Sequence, residues 1–288
     1  MQVKEATDWA QAKRALAEAV LKVTDLLKSV RDPNRPALGQ WSIAELAMHL
    51  SQAWIAVPAL ARQDLTALRD YVPGLAPTAQ SLIRDLWELE CTTKAAVTSD
   101  PERDLTVLAD RIAARAAEFL QESEAHMALD PRPWLVEGTR VPLAVLTGHL
   151  LNETLVHGYD IAKAAARPWR IDPAHAAMVV DGFLIPVVRS LPPRTMTHPE
   201  RAAGVRATFD LRLRGGGRTF WIFDDGELHI EEPSDRPVDC HISADPTAFL
   251  LVAWARKSQW SAIAKGQLMA WGRKPWLGLR FRPLMRNP

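Results

Sequence analysis

Cysteine is scarce in this sequence, and its scarcity excludes two kinds of site. The 288 residues include only two cysteines, Cys91 and Cys240, far apart in the chain. They match neither the spacing of a cysteine-based zinc motif nor the disulfide framework of a small secreted domain. Because structural disulfides belong to oxidising compartments, we expect a cytoplasmic protein.

Net charge and long apolar runs are also lacking. The 35 basic and 34 acidic residues leave a net charge of +1, which gives no reason to expect a nucleic-acid partner. No uninterrupted apolar run approaches the ~18 residues that a membrane span needs. The opening MQVKEATDWAQAKR has no apolar segment of the secretory kind. We therefore expect neither a nucleic-acid nor a membrane partner.

Several catalytic motifs are missing as well. The sequence has no glycine-rich dinucleotide fingerprint after a strand, no Walker loop, no serine nucleophile elbow and no HExxH zinc motif. The glycines at 215–217 lie between two predicted strands, where a hairpin turn explains them better than a phosphate cradle. The chemistries that depend on these motifs are not indicated.

The spacing of apolar residues predicts an α+β protein with two domains. In the first two thirds they recur every three or four positions, which is typical of amphipathic helices. From residue 205 they alternate with polar residues, and Asp210, Arg212, His229 and His241 fall on positions expected to face outward. We predict a helical bundle over residues 1–192 and a small antiparallel α+β domain over 203–288.

The segment WSIAELAMHL, residues 41–50, predicts a well-defined helix start. Ser42 can cap the helix, and Glu45 three residues later completes a capping box. Trp41 and Leu46 fit a hydrophobic staple across this cap. His49 then falls at the edge of the apolar face, and a further helix is predicted from about residue 78 to 97.

Four ionisable residues share one stripe of a later, largely apolar helix, GHLLNETLVHGYDIA at 148–162. They are His149, Glu153, His157 and Asp160, and their spacings of four, four and three place them on one helix face. Burying such groups without partners would cost several kcal/mol each. The stripe therefore needs compensation from something inside the bundle.

A divalent metal ion would supply this compensation. Glu153 and His157 are one helical turn apart, so both can reach one ion, and His49 is the best candidate for a third ligand. Asp160 would then orient His157 through its other ring nitrogen. The alternative is a hydrogen-bonded polar cluster, or salt bridges to arginines on neighbouring helices.

The segments WSIAELAMHL and NETLVHGYDIAKAAARPW, about a hundred residues apart, resemble the mycothiol-dependent maleylpyruvate isomerase family. The resemblance implies a DinB-like four-helix bundle in which His49, Glu153 and His157 bind a divalent metal, usually zinc, with Asp160 beside them. His149 departs from the family, whose members commonly carry arginine or another residue there; it would support the ligands or contact the substrate. ISADPTAFLLVAW and AKGQLMAWG resemble a sterol-carrier-protein-like domain.

The resemblance also implies an enzyme, a mycothiol-dependent transferase or isomerase. The metal would hold the sulfur of mycothiol, or of a similar small thiol, as a nucleophilic thiolate. Addition to an activated double bond would give cis–trans isomerisation, and displacement of a leaving group would give S-transfer. Arg273, in AWGRKPW, would hold the carboxylates of a small electrophilic substrate or the thiol; the alternative is an ordinary surface arginine.

Other functions stay open at this point. Relatives of this kind act in detoxification and in natural-product pathways, so the electrophile and the exact reaction are not given. A non-catalytic carrier of a lipid or small molecule is a second hypothesis, and a metal-binding regulator without turnover is a third. For the carrier, a cavity could be lined by a set of tryptophans that would otherwise fill a small core: Trp221, Trp254, Trp260, Trp271 and Trp276. We expect a monomer or a homodimer.

Overall fold

The computed structural model describes residues 2–64, 66, 86–136 and 138–286. They form two compact units, Met1–Arg170 and Ile171–Pro288. The first unit is built on helices and the second on a sheet with short helices, so the predicted α+β class with two domains is confirmed. Each unit is described by itself below.

The first unit is a four-helix bundle. Helices α1, α2, α4 and α5 each pack against two of the others, and α3 packs on α2. Two short hairpins, β1–β2 and β3–β4, precede α2 and α5. Residues 78–85 of the predicted third helix lie outside the described residues. The bounds are α1 Gln2–Ser29, β1 Pro36–Leu38, β2 Trp41–Ser42, α2 Ile43–Arg62, α3 Leu86–Ser99, α4 Leu105–Ser123, β3 Pro131–Pro133, β4 Arg140–Pro142 and α5 Leu143–Ala164.

Helix α2 begins with the capping box expected from the sequence. The Ser42 hydroxyl accepts a hydrogen bond from the Glu45 amide at 3.3 Å, and Glu45 Oε2 accepts from the Ser42 amide at 2.8 Å. By length and composition this helix could also cross a membrane. However, 72% of the apolar stretch is buried inside the structure, as in the core helix of a bundle.

The second unit combines a five-stranded sheet with short helices. Its helices are α6 Pro173–Val179, followed by a π-helical turn at Val180–Leu184, then α7 Ile185–Ser190, α8 Pro199–Ala202, α9 Pro246–Ala253, α10 Gln259–Ala264 and α11 Gly278–Phe281. Its strands are β5 Arg206–Leu213, β6 Arg218–Asp224, β7 Glu227–Glu231, β8 Cys240–Ala244 and β9 Leu268–Trp271. One face of the sheet packs an aromatic core in which Phe281 contacts Phe209, Trp221 and Phe223.

The sheet is mixed, so the prediction that it is entirely antiparallel was wrong. Its order is β7-β6-β5-β8-β9, and β8 runs parallel to β5. Residues 232–239 carry the chain from β7, at one edge of the sheet, to the far side of β5. Strand β8 therefore runs in the opposite direction to the one it would have in a simple meander. Strand β9 was not predicted, because its residues LMAW are all apolar and so lack the alternation in polarity that marks a half-buried strand.

Helices α6 and α7 lie in the second unit, whereas the sequence prediction placed residues up to 192 with the first domain. Helix α6 packs against α9, and Asp181 after it accepts a hydrogen bond from the Gly217 amide at 2.7 Å. Helical periodicity shows that a helix has a buried face but not which core buries it. The limits of the two independently folding domains stay a prediction.

Asp210 on β5 is buried completely, although its place in the alternating pattern indicated an outward position. Arg212 Nη2 lies 2.6 Å and His241 Nδ1 2.7 Å from its Oδ2, and Arg218 Nε lies 2.8 Å from its Oδ1. Burial alone would raise the pKa of Asp210. The hydrogen bonds from Arg218, Arg212 and His241 outweigh burial and lower the pKa to about 2. His241, expected at the surface, is thus part of an ionic cluster.

We predict that Asp210 makes folding stability pH-dependent in acid. Because its pKa falls from 3.8 to about 2 in the folded chain, its contribution is present above pH 3.8 and is lost as the pH falls towards 2. Denaturant unfolding of Asp210→Asn should show lower stability near neutral pH and a shallower loss in acid than the parent chain. Asp224→Asn, which removes an exposed partner of Arg206, is the control. Equal acid slopes in Asp210→Asn and the parent would contradict the prediction.

Candidate metal site

Helices α2 and α5 bring three predicted ligands together in the first unit. His49 comes from the second turn of α2, while Glu153 and His157 stand one turn apart on α5, and the two helices pack directly. Donor atoms of the three side chains all lie within 4.8 Å of one another. The structure therefore assembles the set that the sequence singled out, and its role as a ligand set stays a prediction.

The distances suit a small tetrahedral ion. His49 Nε2 and His157 Nε2 lie 3.3 and 3.2 Å from the same Glu153 oxygen, Oε2. Two ligand atoms on one zinc ion, each about 2.1 Å from it, are roughly 3.4 Å apart. The same distances also suit hydrogen bonds between imidazoles and a carboxylate, so the geometry fits both the metal site and the polar network considered from the sequence.

Histidines supply every ion-pair contact that Glu153 makes among the described residues. His149 Nε2 lies 3.6 Å from its Oε1, and His49 and His157 meet Oε2. Burial alone would raise the pKa of Glu153, but hydrogen bonds from His149, His157 and His49 outweigh burial and hold the pKa well below its usual range. Among the described residues, Glu153 therefore forms no salt bridge with an arginine, which was one of the alternatives considered from the sequence.

Asp160 stands behind His157, as the spacing on α5 predicted. Its Oδ2 lies 3.3 Å from His157 Nδ1, while Nε2 faces Glu153. Burial would lower the pKa of His157, but the hydrogen bonds to Asp160 and Glu153 outweigh it and raise the pKa to about 9. A carboxylate on Nδ1 fixes the ring and leaves Nε2 directed at the cluster.

Aromatic side chains complete the surroundings of the cluster. The Trp41 ring centroid lies 5.3 Å from that of His49, and the Trp134 centroid 6.2 Å from that of His149. The sequence assigned Trp41 only to the helix cap and did not single out Trp134. The pKa of His49 is lowered chiefly by burial, which favours its neutral form, whereas the pKa of His157 is raised.

Two further residues escaped the sequence reasoning. Asn152 Nδ2 donates to Glu153 Oε1 at 3.3 Å, so the amide helps His149 to hold that oxygen. Gly158, next to His157, lies so close to the Trp169 ring that a Cβ built on it would come within 2.3 Å of a ring carbon. The dipeptide His-Gly inside a helix was the available signal, because glycine there is unfavourable without a packing reason.

Arg273 belongs to the second unit, where it pairs with Asp239. Its side chain is 63% exposed, and Lys274 Nζ also lies 3.1 Å from the same carboxylate oxygen. Burial alone would raise the pKa of Asp239, but hydrogen bonds, chiefly from Arg273, outweigh it and lower the pKa. The expected contact of Arg273 with substrate or thiol stays a prediction.

Comparisons with known proteins agree with the family resemblance drawn from the sequence motifs. Residues 189–273 match the model of the SCP-2 sterol transfer family. Two crystal structures of the mycothiol-dependent maleylpyruvate isomerase are similar in fold, one of them of a histidine-to-alanine mutant, with TM-scores of 0.51 for the mutant and 0.50 for the other. Their sequences are 12% and 13% identical to this one, and each alignment covers 91% of this chain and 92% of that chain. No curated protein matches the sequence.

We predict that Gly158→Ala destabilises the first unit by ~1–3 kcal/mol, because the added methyl group overpacks the Trp169 ring. Trp169 also donates from Nε1 to the Leu155 carbonyl at 3.2 Å, so displacing the ring disturbs two contacts. Denaturant unfolding measures the change. Gly182→Ala is the control, because its Cβ meets nothing within 4 Å and alanine favours the helix. A loss of similar size in both variants would rule out the packing explanation.

Proposed function

We propose that this protein is an enzyme that binds one divalent metal ion, zinc, through His49, Glu153 and His157. It would use a low-molecular-weight thiol of the mycothiol type to act on a small electrophilic substrate, by S-transfer or by cis–trans isomerisation. The observation that carries the proposal is the convergence of two imidazole nitrogens and one carboxylate oxygen within 4.8 Å inside a helix bundle. The likeness in fold to the maleylpyruvate isomerase structures, over 91% of this chain, supports it.

The donor set fits a catalytic zinc site better than a closed structural one. Two histidines and one carboxylate leave a position for a further ligand. A zinc ion bound there would keep a coordinated thiol deprotonated at neutral pH. Asp160 would hold the His157 ring in place through Nδ1, and His149 and Asn152 would restrain the second Glu153 oxygen.

The reacting partners are proposed from the fold neighbours and from the remaining residues. Mycothiol dependence belongs to the neighbours, and we extend it to this chain as part of the proposal. Arg273 would bind the carboxylates of the substrate, or the thiol, in place of its present partner Asp239. The free thiols of Cys91 and Cys240 suit a reducing cytoplasm. Detoxification and natural-product pathways both supply suitable electrophiles.

The match to the SCP-2 sterol transfer family favours a second candidate, a carrier of an apolar ligand. Of the tryptophans expected to line a cavity or fill a core, Trp221 is buried, whereas Trp260 and Trp276 are each 60% exposed. Lipid that co-purifies with the protein and is found by mass spectrometry, together with no binding of thiols, would favour the carrier over the enzyme.

We predict that the full-length chain binds one zinc ion and that His157→Ala abolishes the binding, because two remaining ligands cannot hold the ion in competition with water. Asp160→Asn should weaken zinc affinity by about 10–100-fold, the usual effect of losing the partner of a ligand histidine. Metal analysis and calorimetric titration measure both. His126→Ala, on a half-exposed histidine of the same unit, is the control. If the purified parent chain takes up no zinc, the metal proposal fails.

A further prediction concerns the thiol. Calorimetry should detect mycothiol binding to the zinc-loaded chain and none to His157→Ala. Arg273→Gln should weaken either thiol binding or the apparent affinity for an electrophile by about tenfold, because a charge-assisted hydrogen bond is lost. Arg194→Gln is the matched control, since Arg194 is also an exposed arginine of the second unit paired with a carboxylate. Identical behaviour of the two variants would remove Arg273 from the site.

A further inference from the structure

One face of the sheet in the second unit carries an organised ionic row that the metal proposal does not use. The strand register places Asp210 on β5 beside His241 on β8, and His241 beside Trp271 on β9. Directly opposed residues of neighbouring strands lie on the same face. The row therefore leads from a buried carboxylate through an imidazole to an indole that is 41% exposed.

The adjacent row of the same face changes from cationic to apolar across four strands. Arg218 opposes Arg212, which opposes Ser243, and Ser243 opposes Met269. Since neighbouring strands are about 4.8 Å apart, this row spans roughly 14 Å. The side chains of Arg212 and Arg218 are 42% and 46% exposed, and Met269 is 54% exposed. The exposed positive charge of Arg212 and Arg218 and the exposed apolar side chain of Met269 thus lie on the same face of the sheet.

Asp210 fixes the orientation of both guanidinium groups from below. Each arginine points Nε and Nη2 at this one carboxylate, with all four distances between 2.6 and 3.1 Å. In the described part of the chain, Nη1 of Arg212 and of Arg218 takes part in no hydrogen bond. Two oriented guanidinium groups against one carboxylate leave a positive charge and unused donors at the surface, and holding them in place beforehand lowers the entropy cost of binding an anion.

The exposed indole extends the same surface. Trp271 stacks on His241 with ring centroids 5.4 Å apart, and the Arg212 guanidinium lies 5.7 Å from the indole centroid. Met269, two residues earlier on β9, shares its face of the sheet. A planar or apolar group could therefore lie against Met269 and Trp271 while an attached anionic group reaches the arginines.

We propose that this face binds a small organic acid or phosphate ester, with its oxyanion held by Arg212 and Arg218 and its apolar part against Met269 and Trp271. Guanidinium groups match carboxylate and phosphate oxygens in geometry and charge. The proposal requires no metal ion and stands whether or not the first unit binds zinc.

Calorimetric titration of the full-length chain with inorganic phosphate, phenyl phosphate and benzoate tests the proposal. We expect saturable binding of phenyl phosphate or benzoate, tighter than that of inorganic phosphate; the stronger of the two identifies the preferred oxyanion. Arg212→Gln and Arg218→Gln should each weaken binding by about tenfold or more. Arg206→Gln, at an 80% exposed arginine of the same strand, should bind as the parent does. Met269→Ser should reduce the advantage of the aromatic probes.

Asp210→Asn separates an oriented site from general electrostatic attraction. Removing a negative charge would tighten anion binding if only net charge mattered, whereas loss of the anchor should weaken it. If Asp210→Asn does not fold, Arg212→Lys serves as the test instead. This variant keeps the positive charge but loses the planar guanidinium group, so it should also weaken binding. His157→Ala should bind the probes as the parent chain does, because the proposed site needs no zinc. A probe that was held by zinc would instead lose its binding in this variant. No saturable binding, tighter binding in Asp210→Asn, or loss in His157→Ala or Arg206→Gln would each overturn the proposal.

Discussion

The burial of the Glu153 carboxylate is the constraint on which the first unit depends. A charged group inside a helix bundle is tolerated only when partners replace its lost water. Here the partners are His49 from α2 and His149 and His157 from the turns on either side along α5. Helices α2 and α5 must therefore pack in one register, with their imidazoles turned inward. Structure and chemistry are coupled at this point, since the contacts that make Glu153 tolerable are those that suit a metal ion.

The second unit solves the same physical problem in a different way. Asp210 is also a buried carboxylate, but its partners are mostly arginines that reach it from the surface of a sheet. In the bundle the partners are imidazoles that are themselves largely buried, so the cluster faces inward. In the sheet the arginines stay nearly half exposed, so the organised charge faces outward. A helix bundle and a sheet thus direct an ionic cluster differently, inward or outward, and this difference is why we propose different ligands for the two clusters.

Sequence patterns predicted the parts of this protein that follow from local rules. The capping box of Ser42 and Glu45, the inward stripe on α5 and the alternation of β5 all depend on residues a few positions apart. Long-range features escaped prediction. The parallel pairing of β5 with β8 depends on the path of residues 232–239, and the assignment of α6 to the second unit depends on a core that no periodicity identifies. Asp210 was placed outward because alternation cannot show that neighbouring arginines cover a strand position.

The distance along the chain between His49 and Glu153 has a consequence for synthesis. The two residues are 104 positions apart, so their contact belongs to the non-local class that forms late in folding. During translation α2 leaves the ribosome long before α5 exists, and domains assemble from the N-terminal side as the chain emerges. The cluster of His49, Glu153 and His157 therefore forms only after α5 has emerged, so closure of the bundle and assembly of the cluster are one event.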